Sequence, residues 1–134
     1  MMWKKILGIF RKKRKTTAPK NGKWKQFNKH AVLIAEGYYE NDIKHGPWKQ
    51  FYETGELLLE EHYERGMLHG RYATYHPNGR LFSEGTYQHG KRQGRFNVYD
   101  HEGNLVRRMV FINNQLAEDV DVQSLKVGVK ATVA

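Results

Sequence analysis

The sequence predicts an all-β fold: an elongated antiparallel β-meander of four 24-residue hairpin repeats, preceded by a basic amphipathic N-terminal segment. A Gly-x-aromatic-x-x-aromatic motif recurs with a period of 24 residues, beginning at Gly22, Gly46, Gly70 and Gly94. The segments between these motifs are rich in aromatic and β-branched residues, and turn signals such as Asn78-Gly79 separate them. Because a single hairpin cannot bury its apolar face, the repeats are expected to stack into a rod.

The N-terminal segment, residues 1–20, differs in charge from the rest of the chain. The net charge is +9, but residues 1–25 hold ten basic side chains and no acidic one, so residues 26–134 are about neutral. Its short apolar stretch, Ile6–Phe10, runs into basic residues without a cleavage site, so we expect the segment to be retained. Apolar residues at helical spacing between basic ones favour contact with an anionic membrane or another polyanion. The predicted contact residues are Trp3, Lys4, Lys5, Ile6, Leu7, Phe10, Arg11, Lys12, Lys13, Arg14 and Lys15. The alternatives are a helix in a partner's groove, an import or transit signal, an arm on RNA phosphates, or a tail without a specific target.

The repeat domain is predicted over residues 21–116, with repeats near 22–45, 46–69, 70–93 and 94–116. Equivalent side chains of stacked hairpins form ladders, which together make a continuous narrow core. The predicted core residues are Trp24, Phe27, Trp48, Phe51, Tyr63, Tyr72, Tyr75, Tyr87, Phe96, Tyr99 and Phe111. Tight turns need a residue at positive φ, a conformation that glycine adopts without steric cost. The predicted turn glycines are Gly55, Gly66, Gly79, Gly90 and Gly103.

The C-terminal segment, residues 117–134, is predicted to be a capping strand or a loose tail. Apolar residues alternate along it, as in a half-buried strand, at Leu125, Val127, Val129, Ala131 and Val133.

Catalytic and cofactor-binding signals are missing from the sequence. The absence of cysteine excludes a disulfide scaffold, a cysteine nucleophile and thiolate metal sites. No nucleophile elbow, phosphate-binding loop or His-Glu-x-x-His motif is present, and no run of about 18 apolar residues predicts a transmembrane helix. We therefore expect a protein that is not an enzyme and takes no cofactor, metal or small-molecule substrate.

Two polar columns follow the repeat period and are expected to be structural. The seven histidines are expected to be solvated in turns, although His45 and His69 are equivalent residues of neighbouring repeats. The carboxylates at Glu36, Glu60 and Glu84 would repel one another if unpaired, so we expect partners among turn amides or basic neighbours such as Arg71 and Arg95.

The repeat unit, Gly-x-[Trp/Tyr/Phe]-x-x-[Tyr/Phe], Gly-x-Leu-x-x-Glu and Tyr-x-x-Gly, resembles the MORN repeat, most closely its bacterial variant. The resemblance covers about residues 22–116. The first copy departs from it at Ala31 and Asp42, and the last ends in Asn113-Asn114, which suits end units that face water. The resemblance implies an interaction or membrane-associated module, and similar bacterial proteins are often labelled antitoxins.

These observations together predict a non-catalytic protein-binding scaffold, tethered to an anionic membrane surface through the N-terminal segment. Two alternatives are an antitoxin-like protein that binds and neutralises a toxin, and an RNA- or ribosome-associated protein that uses the basic arm. The expected partner is a protein, with an anionic membrane or nucleic acid as further contacts of the arm. The expected location is cytoplasmic, peripheral on the inner face of a membrane.

Overall fold

A computed structural model describes residues 18–126, which form one antiparallel sheet of twelve strands. The strands are β1 Gly22–Phe27, β2 Leu33–Glu40, β3 Ile43–Lys44, β4 Gly46–Phe51, β5 Leu57–Glu64, β6 Met67–Leu68, β7 Gly70–Tyr75, β8 Leu81–Gln88, β9 Lys91–Arg92, β10 Gly94–Tyr99, β11 Leu105–Ile112 and β12 Gln115–Asp121. Residues 122–126 form a short helix. The predicted fold class is confirmed: the chain is an unclosed meander of hairpins.

The strand order repeats once per 24-residue unit. The longer strands lie in the order β1-β2-β4-β5-β7-β8-β10-β11-β12, and the short strands β3, β6 and β9 fold back on β2, β5 and β8. Each unit therefore consists of one long hairpin and one short return strand, which leads to the glycine that opens the next unit.

The return turns are two-residue hairpin turns in which both residues have positive φ. The pairs are Asn41 and Asp42 (49° and 65°), Arg65 and Gly66 (51° and 78°), His89 and Gly90 (49° and 79°), and Asn113 and Asn114 (48° and 69°). Aspartate and asparagine tolerate this region better than most residues, which explains why the first and last turns keep their shape without glycine. In each turn the second N–H donates to a carbonyl one repeat earlier, as from Asp42 to Lys20 at 3.0 Å and from Gly90 to Leu68 at 2.7 Å.

The opposite set of turns places Ala31 where the other repeats have glycine. Ala31 has φ of 59°, against 97° at Gly55, 84° at Gly79 and 94° at Gly103. Its N–H donates to the carbonyl of Asn28 at 3.0 Å, the same closure that Gly55 makes with Tyr52. The side chain of Ala31 makes this conformation cost about 1 kcal/mol more than glycine would.

One face of the sheet carries a ladder of aromatic rings, which we call the aromatic face. The rings form two runs with centroid separations of 5.0–6.3 Å between neighbours: Trp24, Tyr39, Trp48 and Tyr63, and then Tyr72, Tyr87, Phe96 and Phe111. Trp48, Phe96 and Phe111 are buried, at 5%, 7% and 4% exposed. The core of the molecule lies largely here.

Glycine opposite the rings allows the closest contacts of this ladder. A Cβ atom on Gly37 would lie 2.2 Å from the indole of Trp48, and one on Gly85 would lie 2.3 Å from the ring of Phe96. Glu61 holds the position before Tyr72 that these glycines hold before Trp48 and Phe96, at the junction of the two runs.

The predicted core does not form a single ladder, because half of its columns point to the other face. Residues three apart on a strand face opposite sides of a sheet, so Phe51, Tyr75 and Tyr99 lie opposite the rings of Trp48, Tyr72 and Phe96. Phe27 was predicted as core but is 55% exposed, because β1 is an edge strand that no earlier repeat covers. Ala73 is fully buried on this second face, where it lies between Glu60 and Glu84 in the strand register.

The closing strand lies earlier in the chain than the alternating pattern predicted. β12 spans Gln115–Asp121, whereas Leu125 belongs to the helical residues 122–126 and is 58% exposed. Val127 to Val133 lie outside the described residues. Glu118 explains the length of β12, because it stands where Gly46, Gly70 and Gly94 bend the chain at φ of 68–99°. Without that glycine, the pieces equivalent to β3 and β4 run together as one strand.

Candidate binding face

The face opposite the aromatic rings carries two shallow grooves, and we call it the grooved face. The first groove, of about 540 Å³, is lined by Lys23, Lys25, Glu36, Tyr38, Pro47 and Lys49. The second, of about 390 Å³, is lined by Pro47, Lys49, Glu60, His62 and Arg71. Each of these second-groove residues follows its counterpart by 24 positions, so the grooves are equivalent sites one repeat apart.

Strand alternation explains why these side chains share a face. The register pairs Lys25 with Glu36 and Lys49 with Glu60, and cross-strand partners lie on the same side of a sheet. Trp24 and Trp48 alternate with these residues and point to the aromatic face. Only their backbone borders the grooves.

The glutamate column is fixed by neighbouring cations and hydroxyls. Glu36 lies 3.8 Å from Lys25, and Glu60 lies 3.6 Å from Lys49 and 3.7 Å from Arg71. The hydroxyls of Tyr75 and Tyr99 donate to Glu60 and Glu84, each at 2.9 Å. The predicted pairing with Arg71 is thus present for Glu60. For Glu84, a tyrosine hydroxyl takes the role that was expected of Arg95.

The tyrosines that bind these carboxylates are held in their protonated form. Burial, followed by the hydrogen bond and negative charge of the adjacent glutamate, raises the pKa of Tyr75 and of Tyr99. The side chains therefore act as donors that orient the glutamates and not as bases.

The grooved face carries more positive than negative charge. Its groove-lining columns, at positions equivalent to Lys23, Lys25 and Glu36, contain six basic and three acidic residues. The basic ones are Lys23, Lys25, Lys49, Arg71, Arg95 and Arg108, and the acidic ones are Glu36, Glu60 and Glu84. Arg108 takes the fourth place of the glutamate column, so the excess grows toward the last repeat. The side chains of Arg71 and Lys25 are 60% and 54% exposed, so their charges remain accessible.

A second basic column, on the aromatic face, was missed from the sequence. Lys20 lies 5.2 Å from the ring of Tyr39, Lys44 lies 4.3 Å from Trp48 and 4.8 Å from Tyr63, and Arg92 lies 4.1 Å from Phe111. These residues are spaced by multiples of 24, with Leu68 at the fourth place, so the period itself was the signal. Because the rings already bind them, these cations serve the scaffold.

Glu61 is a carboxylate among aromatic side chains and interrupts the repeat pattern. The hydroxyl of Tyr63 donates to it at 2.8 Å, and the Nζ of Lys44 lies 3.5 Å from that hydroxyl. Burial and the bond to Glu61 raise the pKa of Tyr63 well above its usual value. The cluster satisfies its own polar groups, and it fills the place where glycine lies in the neighbouring repeats.

The histidines of the return segments pair with acidic or histidine neighbours. His45 lies 3.7 Å from Glu40, and His69 lies 3.4 Å from Glu64 with its ring centroid 5.0 Å from that of His89. Within residues 18–126, no group of three or more histidine and carboxylate side chains is placed to hold a metal ion.

The predicted membrane or polyanion contacts, from Trp3 to Lys15, lie outside the described residues. Across residues 18–126, no helix has the length and apolar character needed to cross a membrane.

Comparison with protein families agrees with the resemblance seen in the repeat motif. The family model described as MORN repeat variant matches residues 44–65 and again residues 68–89. The two matches are offset by 24 residues and cover the two grooves' shared strands, β4 and β5, and the strands that follow. A search of curated proteins returned no match.

Proposed function

The chain carries MORN-variant repeats, and we propose that it is a non-catalytic scaffold that binds a protein partner on its grooved face. Repeats of this kind serve in general as protein- or membrane-binding modules and are not typically catalytic. The observation that supports the proposal is the recurrence of one groove, with the same charged and aromatic positions, one repeat further along the sheet.

The spacing of the grooves defines the partner that fits them. Two strands at about 4.8 Å separate equivalent grooves by roughly 10 Å, which is about three residues of extended chain. An extended segment that crosses the strands therefore places every third side chain in a groove. Since basic residues outnumber acidic ones on this face, the segment is acidic, and its carboxylates pair with exposed side chains such as Lys25 and Arg71.

Site-specific crosslinking in the native cell tests this assignment. A photoreactive residue at Tyr38 and another at His62, one in each groove, are expected to capture the same protein. The matched control carries the photoreactive residue at Lys91, which is exposed and lies on the short strand β9. Capture of one partner from both grooves and not from Lys91 supports the proposal, and equal capture from all three sites contradicts it.

Charge reversal adds a quantitative check. The double variant Lys49→Glu and Arg71→Glu is expected to lose the crosslink from both grooves, whereas Lys91→Glu is expected to retain it. If the captured protein is toxic when produced alone, the same binding is that of an antitoxin.

The N-terminal segment is assigned in this proposal to an anionic membrane surface. Apolar insertion by Trp3 and Phe10 and attraction by Arg11–Lys15 act together, because two weak signals are needed for stable anchoring.

Flotation of the full chain on liposomes tests the tether. The chain is expected to float with phosphatidylserine vesicles at low salt and far less with phosphatidylcholine vesicles or at high salt. Changing Trp3 and Phe10 to alanine, or Arg11–Lys15 to glutamine, is expected to reduce flotation. If the unchanged chain ignores both lipids but binds RNA with steep salt dependence, the segment is an RNA-binding arm and the tether is wrong.

A further inference from the structure

The sheet has two open ends, formed by strands β1 and β12. Within residues 18–126, β1 pairs only with β2, and β12 pairs only with β11. Each end therefore presents one row of backbone N–H and C=O groups that no described strand occupies. Such rows are templates for pairing with another chain.

The two ends carry opposite charge. Residues 18–29 contain four lysines and no acidic residue: Lys20, Lys23, Lys25 and Lys29. Residues 115–125 contain three acidic residues and no basic one: Glu118, Asp119 and Asp121. The body between them holds both signs, so the difference belongs to the ends.

This arrangement excludes two of the three ways in which two copies can join end to end. Pairing of β1 with β1 of a second copy opposes lysines, and pairing of β12 with β12 opposes carboxylates, and like charges across strands are destabilising. Only β12 against β1 of a second copy joins opposite charges.

The strand directions fit the same contact. Nine strands separated by eight antiparallel steps form the path from β1 to β12, so the two end strands run in the same direction. A second copy displaced along the rod therefore presents its β1 parallel to β12, with both aromatic faces on one side. Leu116, 54% exposed, pairs with Phe111 at one end of the aromatic face, and Trp24 lies at its other end. The contact thus continues the apolar row across the joint.

We propose that the chain associates head to tail, with the acidic β12 end of one copy on the basic β1 end of the next. The contact is heterologous and a translation does not close it, so association continues beyond a dimer. Electrostatic attraction across the joint is weakened by salt, since the Debye length shortens from about 30 Å at 0.01 M to about 3 Å at 1 M.

Sedimentation of the full chain over a range of concentrations tests this proposal. The average mass is expected to rise with concentration past that of a dimer at low salt and to fall at high salt. Lys23→Glu and Glu118→Lys are each expected to weaken association on the order of tenfold, because each replaces an attraction by a repulsion. Neither side chain makes a hydrogen bond or ion pair through its charged group within residues 18–126, so both variants should fold.

Mixing the two variants separates a head-to-tail joint from every other contact. A Lys23→Glu chain has two acidic ends and a Glu118→Lys chain two basic ends at these positions, so an equal mixture is expected to recover the association that each lost. The control Lys91→Glu changes charge by the same amount away from both ends and should behave as the unchanged chain.

Three results would overturn the proposal: a single mass at all concentrations, growth that stops at a dimer, or single variants that associate normally. Loss of association on changing Arg11–Lys15 to glutamine, with Lys23→Glu unaffected, would also overturn it, because the contact would then belong to the N-terminal segment. Circular dichroism melting of each variant checks that a lost association is not lost folding.

Discussion

The two faces of this sheet are built from the same strands, yet they differ in what they leave exposed. On the aromatic face, rings pack at 5.0–6.3 Å, and cations such as Lys44 and Arg92 cover them. On the grooved face, charged side chains such as Lys25 and Arg71 remain more than half exposed. A single-layer sheet can therefore assign stability to one face and recognition to the other, because neighbouring residues of a strand serve different faces.

The largest effect is expected for Trp48→Ala, which breaks the aromatic face. Removal of this buried indole should destabilise the protein by about 3 kcal/mol, because both neighbouring rings lose their contact with it. Chemical denaturation measures the free energy of unfolding. Arg71→Gln on the grooved face is the comparison, and it should change stability by less than about 0.5 kcal/mol, since its ion pair is exposed. Equal losses for both variants would contradict the division between the faces.

Next in size is Gly85→Ala, which places a methyl group in the aromatic ladder. The new Cβ would lie 2.3 Å from the ring of Phe96, so the ring must move, at a cost of about 2 kcal/mol. Thr86→Ala is the matched control, because Thr86 is the exposed next residue on the grooved face. Thermal unfolding of the two variants should differ by several degrees, and similar melting temperatures would show that the ladder tolerates the methyl group.

A smaller loss, of about 1 kcal/mol, is expected for Tyr75→Phe on the grooved face. The substitution removes the 2.9 Å hydrogen bond to Glu60 and leaves that carboxylate with only its lysine and arginine neighbours. Tyr38→Phe tests the comparison, because Tyr38 is 43% exposed and its hydroxyl has no side-chain partner within the described residues. If both variants are as stable as the unchanged chain, Tyr75 does not hold the glutamate column in place.

The smallest effect at neutral pH, and a growing one in alkali, concerns Tyr63. Its pKa is raised in the folded protein above the usual 10.0, so above pH 10 the unfolded chain releases a proton that the folded chain keeps. Stability is therefore fully present below pH 10 and falls as the pH rises beyond it. Tyr63→Phe should make this fall less steep, as measured by denaturation at pH values from 8 to about 11. A slope equal to that of the unchanged chain would show that Tyr63 titrates normally.

The period and the turns could be predicted from the sequence because they depend on local residue types. Glycine at Gly55 and Gly79 and the aromatic columns recur at a spacing that only stacked units explain. The even stacking also predicted a unit with one turn at each end, which the structure has.

The distribution of residues between the faces was harder to predict. It depends on strand register and on bulges such as the one between Gln50 and Phe51, which residue identity does not reveal. The sequence analysis therefore placed Trp48 and Tyr75 in one core, although they lie on opposite faces. The buried position of Ala73 was missed because a small side chain carries no periodic signal of its own.

The ends of the chain were the least predictable part. An alternating pattern beginning at Leu125 indicated a strand, but β12 forms before it because Gln115–Asp121 lies beside an unpaired β11. Pairing with a waiting edge decided the outcome, and the apolar alternation did not. The grooves were also beyond prediction, since they require the positions of Lys49 and Arg71 relative to Glu60 in space.

The return turns described above have a consequence for how this architecture changes in evolution. Each turn donates its N–H to the carbonyl that the previous unit presents, as Gly66 does to Lys44 at 3.2 Å and Asn114 to Arg92 at 2.9 Å. Every unit thus offers the same acceptor that it uses, and a duplicated or deleted block of 24 residues meets an identical neighbour. The length of such a molecule is quantised in steps of roughly 10 Å, and selection can adjust it as a ruler is cut, without redesigning any joint.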